Sequence, residues 1–247
     1  MVLVDEYDKP LLDVLEKDPE LLDQNRNLLK AFYSVFKQAD ASLRFVFLTG
    51  VTKFSQVSVF SGFNQPKDIS MFEKYEALCG ITEEELHTQF AEPIQEMAES
   101  EGCTEEEVRQ RLKRHYDGDH FSKAMTDIYN PFSVLNAFDS KEIRDYWFSS
   151  GTPTYLIRLM NHFHEGIDEL TNKYYLPDEF INYKADIEYP LPMIYQSGYL
   201  TIKGYDKDSN LFLLDFPNNE VKSGFLAMVA VSFSSKTGTI EEWDARK

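Results

Sequence analysis

The chain has 247 residues, and its 25 Lys and Arg against 42 Asp and Glu leave a formal net charge of −17. Nucleic-acid binding rests on cations that neutralise phosphates, so this surface disfavours DNA and RNA as partners of the chain alone. With 43% hydrophobic residues the chain can bury one or two cores, while it holds no apolar run long enough for a transmembrane helix.

The opening residues Val2-Leu3-Val4 read as a short, fully buried parallel β-strand that runs into Asp5 and Glu6. Open α/β sheets place ligands at the carboxyl ends of their strands. Two adjacent acids there can take separate roles, Asp5 as the candidate Mg²⁺ ligand and Glu6 as the candidate base that orients or activates water. Two solvated acids at a strand end would look the same in sequence. Asp18 followed by Pro19 marks a helix start, and Leu21, Leu22, Leu28, Leu29, Phe32, Tyr33 and Phe36 follow near helical spacing. A second strand, Leu43 to Leu48, ends at Thr49-Gly50, where a hydroxyl beside a glycine can face a phosphate. Strand, helix and strand in this order predict a parallel crossover unit. Lys53, just beyond, is a candidate cation for a γ-phosphate or, equally, a solvated loop lysine.

The middle of the chain is predicted to be helical. Thr82 with Glu85 and Thr104 with Glu107 are capping-box pairs, the first opening a helix through Phe90 toward Met97. Asn130-Pro131 and Thr152-Pro153-Thr154 open two more. His115, Asp117, Asp119 and His120 crowd one segment, yet Gly118 among them favours a turn after a helix over a metal site. His162 and His164, two apart, point to different helix faces. From about Ile187 the pattern becomes a helix ending at Gly198, a hairpin turning at Lys207 to Asn210, and a helix opened by Pro217-Asn218, which is the layout of a winged helix. Only Lys203 and Lys207 sit on the hairpin, so protein contact is favoured over DNA reading. Ala227 to Phe233 is apolar, and Ser234 to Thr239 reads either as a joint or as the frayed end of a helix. Cys79 and Cys103 are lone cysteines, which suits a reducing, cytoplasmic compartment and neither a disulfide framework nor zinc.

Seven blocks, VLVDEYDKPLLD, LLKAFYSVFK, FVFLTGVTKFSQVSVFSGFNQPKDIS, YNPFSVLNAF, SSGTPTYL, YQSGYLTIKGYD and FPNNEV, resemble the bacterial AAA-ATPase-like family from Val2 to about Phe225. Longer members carry a P-loop module ahead of these motifs and a PD-(D/E)XK nuclease-like domain after them. The resemblance makes Val2 to Glu6 a Walker B strand, with Asp5 the Mg²⁺-associated acid and Glu6 the water-activating one, and sets Thr49 at sensor 1. It implies an α/β remnant of a P-loop ATPase core over residues 1–75, a helical lid over 76–186 and a winged-helix-like α+β domain with tail over 187–247. ATP and Mg²⁺ are the implied cofactors, and the implied partners are an N-terminal P-loop segment and a C-terminal nuclease-like domain. No Gly-Lys-Ser or Gly-Lys-Thr occurs in the chain. The expectation is therefore a truncated ATP/Mg-binding regulatory or mechanochemical module that cannot hydrolyse ATP alone, because carboxylates without a P-loop repel the triphosphate. Alternatives are a catalytically silent protein-interaction module or a winged-helix nucleic-acid adaptor. Loss of the P-loop strand would also leave Phe45 and Phe47 on an apolar edge, which predicts self-association or rearrangement of a terminal segment.

Overall fold

The computed structural model describes residues 1–15, 17–53, 60, 66–149, 169–182 and 189–236. They divide between two units, the first drawn from Met1–Asp68 and Asp178–Ser197, the second from Ile69–Pro153, His164–Pro177 and Gly198–Lys247. This division differs from the boundaries read from the sequence, most plainly near residue 197, where the helix and the hairpin after it fall into different units. Thr152-Pro153-Thr154, His162, His164 and Thr237 to Thr239 lie outside the described residues.

In the first unit, β1 (Val2–Val4) pairs in parallel with β2 (Val46–Leu48), Val2 opposite Val46 and Val4 opposite Leu48. The chain passes between them through α1 (Lys9–Leu12) and α2 (Pro19–Gln38). Asp18 caps α2 by accepting the Leu21 N–H at 2.9 Å, and Pro19 takes the first helical position, where its missing N–H is not needed. Leu11, Leu12 and Leu15 are buried with Tyr33 and Phe36 of α2, whose rings meet edge to face at 5.6 Å.

The expectation of a fully buried β1 is corrected: Leu3 is 62% exposed. Side chains alternate across a strand, so Val2 and Val4 share one face and Leu3 takes the other. The described sheet has two strands, and the Leu3 face is open. Phe45 is likewise 52% exposed, its ring stacked on Phe47 at 6.2 Å. On α2 the exposed residues Leu21, Leu28, Phe32 and Val35 recur at helical spacing and form one apolar stripe. The helix is therefore apolar on a buried face and on an exposed one.

In the second unit, β3 (Ile81–Thr82) leads into α3 (Glu83–Gln89), α4 (Ala91–Glu101) and α5 (Glu105–Tyr116); β4 (Ile128–Tyr129), antiparallel to β3, leads into α6 (Pro131–Ser140) and α7 (Tyr146–Ser149). Thr82 with Glu85 and Thr104 with Glu107 each make both bonds of a capping box. One continuous helix from Thr82 toward Met97 was expected; the structure breaks it at Phe90. Pro93 explains the break, since it has no N–H for the Gln89 carbonyl and its ring crowds that oxygen. Leu86, Ile94, Met97, Val108, Leu112, Tyr116, Tyr129 and Val134 form the core these helices share.

The rest of this unit is a three-stranded antiparallel sheet, β5 (Lys173–Tyr175), β7 (Leu211–Asp215) and β6 (Thr201–Asp206) in that spatial order, followed by the helix Asn219–Lys236. Strand β5 had no counterpart in the sequence reading. The short helices α8 (Pro177–Phe180) and α9 (Leu191–Gln196) intervene, so the final helix is α10. It includes Ser234 to Lys236, which the sequence left between joint and helix. Replacing the fully buried Leu112 by Ala is expected to cost about 2–5 kcal/mol in urea denaturation, and a loss below about 1 kcal/mol would contradict the core assigned here.

Candidate functional site

Parallel pairing brings the carboxyl ends of β1 and β2 side by side, and with them two of the residues singled out by sequence. The Thr49 hydroxyl donates to Asp5 Oδ1, which also accepts the Glu6 N–H at 3.0 Å. Asp5 and Glu6 are exposed. Glu6 has φ +49°, the left-handed conformation that costs a non-glycine residue about 1–2 kcal/mol. Tyr7 N–H donates to Thr49 O at 2.9 Å and Lys9 N–H to Glu6 O at 3.0 Å, which fixes the turn on both sides of the strained residue. The Glu6 carboxylate lies 3.6 Å from the Lys9 ammonium, an exposed ion pair of small energetic weight.

Lys53 does not join this pair. Its ammonium lies 2.8 Å from Asp68 Oδ2, and its backbone N–H donates to the side-chain oxygen of Gln196. Gln196 also donates through Nε2 to the Phe180 and Ile181 carbonyls at 3.1 and 2.6 Å.

The side chain that organises the loop was missed by sequence reasoning. Asp8 is fully buried and stands at the N-cap of α1, yet its carboxylate makes no bond to its own helix. It accepts instead the N–H groups of Val51 at 3.2 Å and Thr52 at 2.6 Å and the Thr52 hydroxyl at 2.9 Å. Tyr7 adds a bond from its hydroxyl to Thr52 O at 2.8 Å. A Cβ on Gly50 would stand 2.6 Å from both the Asp8 carboxylate and the Tyr7 ring, so only glycine fits between them. The available signal was the third acid in Asp5-Glu6-Tyr7-Asp8 and the glycine that follows Thr49.

A second polar cluster lies in the other unit, around the segment that sequence weighed as a metal site. Lys113 Nζ sits among Glu83 at 3.3 Å, Asp127 at 3.3 Å and Asp117 at 3.6 Å. His120 Nδ1 is 2.6 Å from Ile202 O and Nε2 2.7 Å from Asp127 Oδ1. Gly118 has φ +96°, and a Cβ there would meet Pro217 O at 2.6 Å. Lys203 donates to Gly118 O and Pro217 O, both at 2.8 Å, so this hairpin lysine joins two loops of the protein. Among the described residues no group of three His, Cys, Asp or Glu is arranged to hold a metal. Lys113 gathers these carboxylates, and His120 and Lys203 fasten the turn after α5 to β6 and to the Pro217 loop. Burial, above all, pushes the Asp117 carboxyl up to about 6 and that of Asp119 up to about 7.

Both carboxyls therefore bind protons more tightly in the folded than in the unfolded chain, where their ordinary value is 3.8. Their contribution to stability is whole below pH 3.8 and is lost as pH rises through 6 for Asp117 and 7 for Asp119. Asp119→Asn is expected to flatten the decline in melting temperature between pH 5 and pH 7.5, and an unchanged slope would contradict the assignment. Gly50→Ala is expected to cost about 1–3 kcal/mol by forcing Asp8 and Tyr7 apart, measured by chemical denaturation.

Residues 1–60 of the chain match the family model described as "AAA-ATPase_like: Predicted AAA-ATPase". A relative from Azotobacter chroococcum mcd 1, an uncharacterized protein in the vnfD 5' region, is 38% identical over 228 residues, covering 90% of this chain and 41% of the relative. The chain thus spans less than half the length of that relative. No solved structure matches it significantly. Among the described residues no helix is long and apolar enough to cross a membrane.

Proposed function

We propose that the carboxyl ends of β1 and β2 are the acidic half of a Mg²⁺–nucleotide site in an AAA-ATPase-like module. The observation that carries this reading is the bond between Thr49 and Asp5 across two parallel strands, within the stretch that matches the family model. The donor set fits magnesium. Asp5 and Glu6 offer exposed carboxylate oxygens and Thr49 a hydroxyl, hard ligands for an ion that takes most of its shell from water and phosphate. ATP with Mg²⁺ supplies the phosphoryl group to be transferred. With that group bound, Asp5 would hold the cation and Glu6 would orient the attacking water, while Thr49 holds the Asp5 carboxylate in place.

The phosphate-cradling glycine-rich loop is not among the 247 residues, so turnover requires a polypeptide that supplies one. The open Leu3 face of β1, exposed Phe45 and the apolar stripe of α2 support this, because apolar surface gathered on one unit is surface suited to further packing. In this reading the α/β segment belongs to a P-loop core and the helices of the second unit form a separate helical subdomain. The winged-helix reading draws support from the three-stranded sheet β5–β7–β6 followed by α10. With Lys203 engaged by two backbone carbonyls, that hairpin serves protein contact better than a phosphate backbone.

The test uses the 247-residue chain and Mn²⁺, whose unpaired electrons broaden nearby NMR signals. Signals of Asp5, Glu6 and Thr49 are expected to broaden first, and Asp5→Asn to weaken the effect about tenfold. Broadening spread over the acidic surface without preference for these three overturns the proposal. In a longer polypeptide that supplies the P-loop, Glu6→Gln is expected to lower ATP turnover by about 10²–10⁴-fold while nucleotide binding persists.

A further inference from the structure

We propose that Asp8 and Gln196 are positioning residues that make Thr49–Lys53 a strap between the acidic end of β1 and helix α9, so that a change at Asp5 and Thr49 is felt at Gln196. As a role in the nucleotide site this rests on the function proposed above; as a mechanical link it does not.

Nearly every backbone donor of the strap is spoken for. Thr49 N–H donates to Val4 O at 2.8 Å, Val51 and Thr52 N–H donate to Asp8, and Lys53 N–H donates to Gln196. Two carbonyls are taken as well, Thr49 O by the Tyr7 N–H and Thr52 O by the Tyr7 hydroxyl. A strap bonded at each residue but one moves as a body, because slipping one bond exposes the others.

Asp8 is the fulcrum. A buried carboxylate is costly unless hydrogen bonds replace its water, and those it has come from the strap. Its charge also reaches α2, where burial first and Asp8 second hold the Tyr33 hydroxyl above its ordinary value. A residue placed only to cap α1 would have bonded that helix, and Asp8 reaches 44 positions along the chain instead. Gln196 is the far anchor. Its amide orientation is unique, since the oxygen must meet the Lys53 N–H and the nitrogen must meet the Phe180 and Ile181 carbonyls. Gln196 is the last residue of α9, so a shift of the strap loads the end of that helix.

Nuclear magnetic resonance on the 247-residue chain tests the link without metal or nucleotide. Thr49→Val removes only the bond to Asp5. The expected result is a shift of the Gln196 side-chain amide signals and about tenfold faster hydrogen exchange at the Lys53 N–H. In an Asp8→Asn background the same Thr49→Val change is expected to leave Gln196 unmoved, because the fulcrum is already gone. Thr52→Val, which deletes one bond to Asp8, serves the same comparison where Asp8→Asn fails to fold. Gln196 signals identical in wild type and Thr49→Val overturn the strap, as does an equal response with and without the Asp8 bonds. Mg²⁺ then separates the two proposals. A working strap with no Mg²⁺ response at Asp5 refutes the nucleotide site alone, whereas a Mg²⁺ response at Asp5 with silent Gln196 refutes the strap alone.

Discussion

The geometry of the site depends on a negative charge that has been taken out of water. Asp8 is fully buried, and its carboxylate is tolerated because two backbone N–H groups and one hydroxyl of the loop after β2 point at it. That requirement sets the path of residues 50 to 52, excludes a side chain at Gly50, and leaves Thr49 at the Asp5 carboxylate. A two-stranded pair of three-residue strands has few ladder bonds with which to specify such a register. The buried carboxylate does so with stronger, charge-assisted bonds.

The two polar clusters engage their charged groups to different extents. At the ends of β1 and β2, Asp5 and Glu6 stay exposed, so they can meet a cation from solution. In the turn after α5, Lys113 already stands among three carboxylates and Lys203 already bonds two carbonyls. Residue types that read alike in sequence are therefore open to a ligand in one place and committed to fastening in the other. What separates them is how far the protein supplies the counter-charge: at Glu6 only the exposed Lys9 ammonium at 3.6 Å, at Lys113 three carboxylates.

Much of the local structure was legible because its cause is local. Thr82 and Thr104 cap helices through side chains three residues away, Asp18-Pro19 starts α2, and Gly118 turns the chain at positive φ. The break at Phe90 was equally local, but the helix read from the Thr82 cap ran on past Pro93. What escaped was long-range. Strand β5 is three residues long, with Lys173 and Tyr174 exposed, so no alternation announces it. Asp8 and Gln196 act on partners 44 and 143 positions away, and no spacing rule reaches so far. Asp5 and Thr49 were each singled out in sequence, but their bond follows only from the parallel pairing of the two strands. The burial of β1 was overread because three apolar residues do not say how many strands flank them.

The central proposal is that Asp5 and Thr49 together form one face of a cation site, and a crystal of the chain grown with Mn²⁺ tests this most directly. The anomalous difference map is predicted to show an ion within coordination distance of the Asp5 carboxylate, with the Thr49 hydroxyl beside it and Asp8 still bonded to Val51 and Thr52. An ion bound elsewhere on the acidic surface with none at Asp5, or Asp5 and Thr49 found apart, would contradict it.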